Sequence, residues 1–139
     1  MIKKPSPHPP PDGLSSREKS RIAVLAALDK KADRPVLLDV KVLSSFADYF
    51  LICSGRSDRQ VQSIADAVVE ALKRLGRAPL GVEGHPEGRW VLIDCGDVIV
   101  HVFQEPIREF YNLERLWHSA PRVSTAAWEE EARRRPDLP

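Results

Sequence analysis

No stretch of the sequence approaches the roughly 20 consecutive apolar residues that a membrane-spanning helix needs, so no helical span is expected. The start, Met1-Ile2-Lys3-Lys4-Pro5, has two lysines but no apolar core after them. No secretory signal is therefore expected, and the cytoplasm is the expected compartment. Cysteine is scarce: Cys53 and Cys95 stand alone in apolar, strand-like contexts, with no CxxC and no paired-histidine spacing. That pattern predicts two buried, reduced thiols and no metal site. Net charge is scarce too, with 21 Lys and Arg against 20 Asp and Glu. Proteins that coat nucleic-acid phosphates carry a larger or more clustered excess, so no direct sequence-specific nucleic-acid binding is expected.

Chemical signatures are equally sparse. Neither GxxxxGK[ST] nor GxGxxG is present, although Cys53-Ser54-Gly55 followed by Ser57 sets a strand–glycine–helix frame in which anions bind, with Arg56 and Arg59 nearby. A nucleotidyltransferase needs carboxylates at close strand spacing to hold two metals. No DxD or DxE lies on one strand face; Asp39, Asp48, Asp94 and Asp97 converge only if the fold brings them together, and turn or cap roles explain all four more simply. His101 sits between two valines on a strand and His85 between Gly84 and Pro86, and no Ser or Cys stands in a context that calls on either as an activator. No catalytic residue and no cofactor are expected.

What is present is one domain's worth of 139 residues with 42% hydrophobic and 29% charged composition. Five of the twelve prolines fall in residues 1–14, which predicts an extended, mobile leader. Ser15 and Glu18 have capping-box spacing and open a helix that buries Ile22, Leu25, Ala26 and Leu28 and ends near Asp33. Its other face carries Arg17, Lys19, Arg21, Lys30 and Lys31. Val36–Val40 and Tyr49–Cys53 read as strands, the second apolar on both faces and so central. Ser57 and Gln60 cap a second helix with Val61, Ile64, Ala65, Val68, Ala71, Leu72 and Leu75 on one stripe, stopped by Gly76. Its wet side carries Gln62 and Asp66. A short strand is expected at Pro79–Val82. After Phe103, Pro106 opens a helical region in which Ile107, Phe110, Tyr111, Leu113 and Trp117 cover the sheet, with a break near Asn112. The remainder, 118–139, holds a weak helical stretch, Thr125–Arg135, expected to be loosely attached. The sum is an α/β domain over 15–117 with a mixed sheet of about five strands flanked by helices, and a C-terminal extension.

The chain is organised around Leu80–Phe103, where Trp90–Asp94 and Val98–Phe103 flank a Cys95-Gly96-Asp97 turn as a hairpin. Trp90 emerges from a glycine-punctuated loop expected to be mobile. Between Pro79 and Leu116 seven acidic residues face three basic ones. Such a field repels nucleic acid and attracts a basic partner. An aromatic residue ringed by charge is the anatomy of a protein-recognition surface.

Asp48-Tyr49-Phe50, Ile52-Cys53-Ser54-Gly55, Arg59-Gln60-Val61, Ile64-Ala65-Asp66, Pro79-Leu80-Gly81-Val82-Glu83-Gly84, Trp90, Asp94, Gly96–Phe103 and Tyr111–Trp117 together resemble the Iojap family of ribosomal silencing factors. The resemblance runs from about Val36 to Trp117 and leaves the two tails outside it. It implies a fold similar to nucleotidyltransferases without their catalytic signature. It also implies a non-catalytic translation repressor that docks on the fourteenth protein of the large ribosomal subunit and sterically blocks small-subunit joining. On this reading Val82 and Trp90 are apolar anchors, and Glu83, Asp94, Asp97 and Glu105 face partner Lys or Arg. When free, the apolar surface is open to self-association as a homodimer. The competing reading is a nucleotidyltransferase-like, nucleotide-binding enzyme.

Overall fold

The computed structural model describes residues 14–135; the proline-rich leader and the residues from Pro136 onward lie outside them. Helix α1 (Ser16–Asp29) starts where the capping pattern puts it, with Ser15 Oγ accepting the Glu18 N–H at 3.0 Å. It stops at Asp29, short of the expected end, and its deepest residues are Ser20, Ala23, Val24 and Ala27, while Ile22 and Leu28 are only half-buried. Lys19 is buried as well, because four residues before Ala23 it falls on the inward stripe.

Strand β1 (Asp33–Asp39) begins ahead of the expected Val36. Arg34, at φ 48°, and Pro35 occupy an irregularity in its pairing with β2 (Tyr49–Gly55), which is how a proline is tolerated inside a strand. Every residue of β2 is buried, as a central strand requires. Helix α2 (Asp58–Arg74) follows. Ser57 Oγ accepts the Gln60 N–H at 3.0 Å, and Val61, Ile64, Ala65, Val68 and Leu72 form its buried stripe. Leu75 is the C-cap residue and is exposed. Gly76, at φ 72°, lets its own N–H reach Lys73 O and the Arg77 N–H reach Leu72 O, a Schellman stop.

Strands β3 (Gly81–Glu83), β4 (Trp90–Asp94) and β5 (Val98–Gln104) complete the hairpin region, and β5 returns parallel to β2. Helices α3 (Glu105–Tyr111) and α4 (Leu113–Leu116) meet at Asn112, whose φ of 47° breaks them at the expected place. Strand β6 (Arg122–Val123) and helix α5 (Ala126–Arg134) end the described chain. This last segment is attached, against expectation. Strand β6 pairs with β1, Trp128 is buried against the core under the Arg17 guanidinium, and Glu131 pairs with Arg21. One buried indole and a short edge pairing suffice to hold it.

The result is a mixed six-stranded sheet in the order β3-β4-β5-β2-β1-β6. Its two faces differ. One packs Leu37, Leu51, Val91, Ile93, Val100 and Val102 against α1, α2 and α5 in the larger core. The other carries Leu38, Phe50, Ile52, Ile99 and Phe103 and meets the short α3–α4 segment through Ile107 and Leu113, with Trp117 just after it and Ala47 and Ala120 from the flanking loops.

Candidate functional site

The thinly covered face is aromatic. Directly opposed residues of a ladder share a face, so Trp90 with Phe103, Leu92 with His101 and Asp94 with Ile99 all project to this side. Trp90 stacks on Phe103 at 4.8 Å between ring centroids and touches Tyr111 at 4.9 Å. Tyr111 meets Phe110 at 5.1 Å, and Phe50 meets Trp117 at 4.8 Å and His101 at 5.4 Å. Phe46 extends the band past Phe50. Phe110 is 79% exposed and does not cover the sheet as its spacing suggested, while Tyr111, about half exposed like Phe46, covers it only in part, against Trp90. The buried side chain of α3 is Arg108 instead.

Arg108 explains why α3–α4 stands as it does. Its Nη1 donates to Asp33 O and to Ser54 Oγ at 3.1 Å; its Nη2 donates to Arg34 O at 2.8 Å and Glu114 Oε1 at 2.7 Å. The guanidinium thereby ties both short helices to β1 and β2.

His101 lies within the aromatic band. The Trp90 indole N–H donates to its Nδ1 at 3.1 Å, which leaves the neutral ring's proton on Nε2, a buried nitrogen with no partner. Burial holds the imidazole neutral and lowers its pKa to about 4. The same desolvation raises the Cys53 and Cys95 thiols to about 12, partly countered by Arg108 and Lys19 respectively.

The six residues singled out from sequence are not one cluster. Glu83, opposite Leu92, Trp90 and Asp94 share the aromatic face, with Asp94 Oδ1 also accepting the Gly96 N–H at 2.9 Å. Val82 is exposed at the sheet edge but opposes Ile93, which places it on the helical side. Asp97 is 2% exposed and bonds the Lys19 ammonium at 2.7 Å inside the protein, so it does not present a charge to a partner. Glu105 lies at the other end of β5 and is engaged by Ser54 and Arg34, which together hold its carboxyl below the usual range. Phe110 and Tyr111 as outward groups, and Lys19 as partner of Asp97, were not foreseen. The Lys19 signal was its place on the α1 stripe; the ends of α3 gave none.

The loop before Trp90 is also pinned. Gln62 Nε2 donates to His85 O at 2.9 Å, and His85 Nε2 lies 2.8 Å from Asp66. Gly88 sits at φ 66° where an added Cβ would lie 2.7 Å from Asp58 O, so this turn accepts only glycine. The wet side of α2 is thus the loop's seat.

Asp39, Asp48, Asp94 and Asp97 lie at one end of the sheet, but three of them serve separate partners: Asp39 pairs with Lys41, Asp97 with Lys19, and Asp94 caps its own turn. Among the described residues no group of three or more His, Cys, Asp or Glu side chains is arranged to hold a metal ion. None of the described helices is long and apolar enough to cross a membrane.

Comparison with known proteins places this geometry. A family model described as ribosomal silencing factor during starvation matches residues 14–138. The chain is 47% identical over 110 residues to the ribosomal silencing factor of Halalkalibacterium halodurans, covering 79% of this chain and 94% of that one. It is 32% identical over 75 residues to a mouse protein named for mitochondrial assembly of the large ribosomal subunit, covering 52% of this chain and 33% of that one. A crystal structure of a Chromobacterium violaceum protein superposes with a TM-score of 0.74 at 38% identity, covering 75% of this chain and 87% of that chain. The family match over residues 14–138, the sequence identities and the shared fold agree, and the chain belongs to the ribosomal silencing factor family.

Proposed function

We propose that the chain represses translation in the cytoplasm by docking its aromatic sheet face on the large ribosomal subunit, where it stands in the path of the small subunit. Family membership supports ribosome-associated regulation of translation, and the mouse relative's name supports the large subunit as the site. The observation that carries the finer reading is the aromatic band: it is exposed at Phe46, Tyr111 and Phe110, flanked by Glu83 and Asp94, and set in a region with excess acid. Aromatic anchors rimmed by carboxylates fit a basic protein better than an RNA surface. The resemblance makes the fourteenth large-subunit protein the expected partner. Occlusion of this kind needs affinity and no turnover.

Phe110 is the cleanest probe of the surface, because it is exposed and its removal leaves the core intact. Trp90 is a poorer one, since it stacks on Phe103 and bonds His101. Phe110→Ala is expected to weaken co-sedimentation with purified large subunits by roughly tenfold, about 1.4 kcal/mol, within the range of an interface anchor. Its denaturation midpoint stays unchanged. Undiminished co-sedimentation of a folded Phe110→Ala variant would falsify this docking face.

A further inference from the structure

The start of α2 gathers charge of the opposite sign. Gln60 Oε1 accepts the Arg56 N–H at 2.7 Å, while its Nε2 donates to the carbonyls of Lys30 and Lys31 at 3.3 and 3.1 Å. One side chain thus binds the turn after α1 to the head of α2 and brings Lys30, Lys31, Arg56 and Arg59 onto one ridge, all exposed. Lys30, Lys31 and Arg59 have no ion-pair partner among the described residues. Arg56 reaches Asp33 at 3.4 Å, but with 82% of its side chain exposed that pair is weak. Of the neighbouring carboxylates, Asp33 pairs with Arg56, Glu105 pairs with Arg34 and Asp58 Oδ1 accepts the Arg59 N–H at 2.7 Å. Asp29, exposed beside Lys30, has no ion-pair partner among the described residues and offsets one of the four positive charges. Because Asp58 and Ser57 take the N–H groups at the head of the helix, an incoming anion meets side chains and not the helix terminus.

We infer that this ridge is a second contact of the docked protein, made to the phosphate backbone of ribosomal RNA. The inference rests on the large-subunit docking proposed above. Chemistry favours phosphates: the four heads are long, mobile and exposed, a set that neutralises backbone charge without reading bases. Charge favours RNA here and protein on the sheet face, since the acidic hairpin repels phosphates while the ridge attracts them. A surface of basic proteins set among RNA phosphates satisfies both at once and fixes the orientation of the bound factor.

The test is the salt dependence of binding to purified large subunits, from about 50 to 200 mM, the range over which released counterions dominate affinity. The variant Lys30→Gln/Lys31→Gln/Arg59→Gln alters only exposed side chains. Its log–log slope is expected to fall by about 2 to 3, at roughly 0.7 to 0.9 for each of the three phosphates left without its cation. Phe110→Ala lowers affinity and leaves the slope unchanged. A photo-crosslinker at Lys31 is expected to capture ribosomal RNA; capture of ribosomal protein alone overturns the inference and points to an acidic protein surface. An unchanged slope in the triple variant overturns this inference and leaves the docking reading standing. Failure of the unaltered protein to sediment with large subunits overturns both.

Discussion

Within the aromatic band, the His101 ring has one nitrogen bonded to Trp90 and the other buried without an acceptor. Its pKa in the fold, about 4, lies below the value near 6.5 that the unfolded chain gives it. Between those values the unfolded state binds a proton that the native state refuses, so stability is full above pH 6.5 and is lost as pH falls towards 4. The loss amounts to roughly 3 kcal/mol, because each pH step of one between those two values removes about 1.36 kcal/mol. Urea unfolding at pH 7 and pH 4 checks this: His101→Gln, which keeps an acceptor for Trp90, should lose about that much less on acidification than the unaltered protein. Equal losses would assign the acid sensitivity to the carboxylates. The two thiols make a second residue-scale prediction. Raised to about 12, Cys53 and Cys95 should resist a thiol-specific reagent at pH 8 and react fully only in denaturant. Their burial was legible from their apolar neighbours. The Lys19–Asp97 pair was not, because its partners lie 78 residues apart and only the fold brings them together.

Elements differ in how far local sequence specifies them. Helix α2 was read almost completely, because a side-chain cap, a 3.6-residue apolar stripe and a glycine stop all agree over 17 residues. The strands of the hairpin are legible for a different reason, two short apolar runs flanking a Gly-Asp turn. Strand β6 has two residues and no periodicity to find, and α5 is held by a tryptophan that composition alone does not mark as buried and by an ion pair, Glu131 with Arg21, between residues far apart in sequence. Helix α3 is the instructive case: its spacing suggested an apolar underside, yet a guanidinium occupies the buried position. Truncating a buried charge strands its partners, so Arg108→Ala should cost about 3 kcal/mol in chemical denaturation by taking the donor from Glu114 and the Arg34 carbonyl and leaving the Asp33 carbonyl only its long bond from Ser54. Because α3 carries Phe110 and Tyr111, the same variant should also bind large subunits less tightly under conditions where it remains folded. A variant that loses stability but binds normally would show that the Arg108 latch does not position the proposed docking surface.

At the scale of the whole molecule, the asymmetry of the sheet is the decisive feature: α1, α2 and α5 close one face, and a short latched segment leaves aromatic rings showing on the other. Which elements form the core was legible from periodicity; which face stays uncovered was not, because it depends on the shortness of α3–α4 and on the Arg108 latch that seats it. A protein that works by covering a partner's surface acts through occupancy, which mass action sets. On the occlusion proposed above, inhibition of subunit joining should rise in proportion to the fraction of large subunits carrying the factor and saturate at one factor for each subunit. Added small subunits should relieve it competitively, and nucleotide with Mg²⁺ should change neither its extent nor the thermal stability of the factor. Sedimentation of subunits mixed with increasing factor, joined by a melting curve with and without nucleotide, measures all of this. A catalytic modifier behaves differently: it silences many subunits per molecule, and the effect outlasts its removal. Inhibition at a small fraction of one factor per large subunit, surviving removal of the protein, would replace occlusion with chemistry as the mechanism.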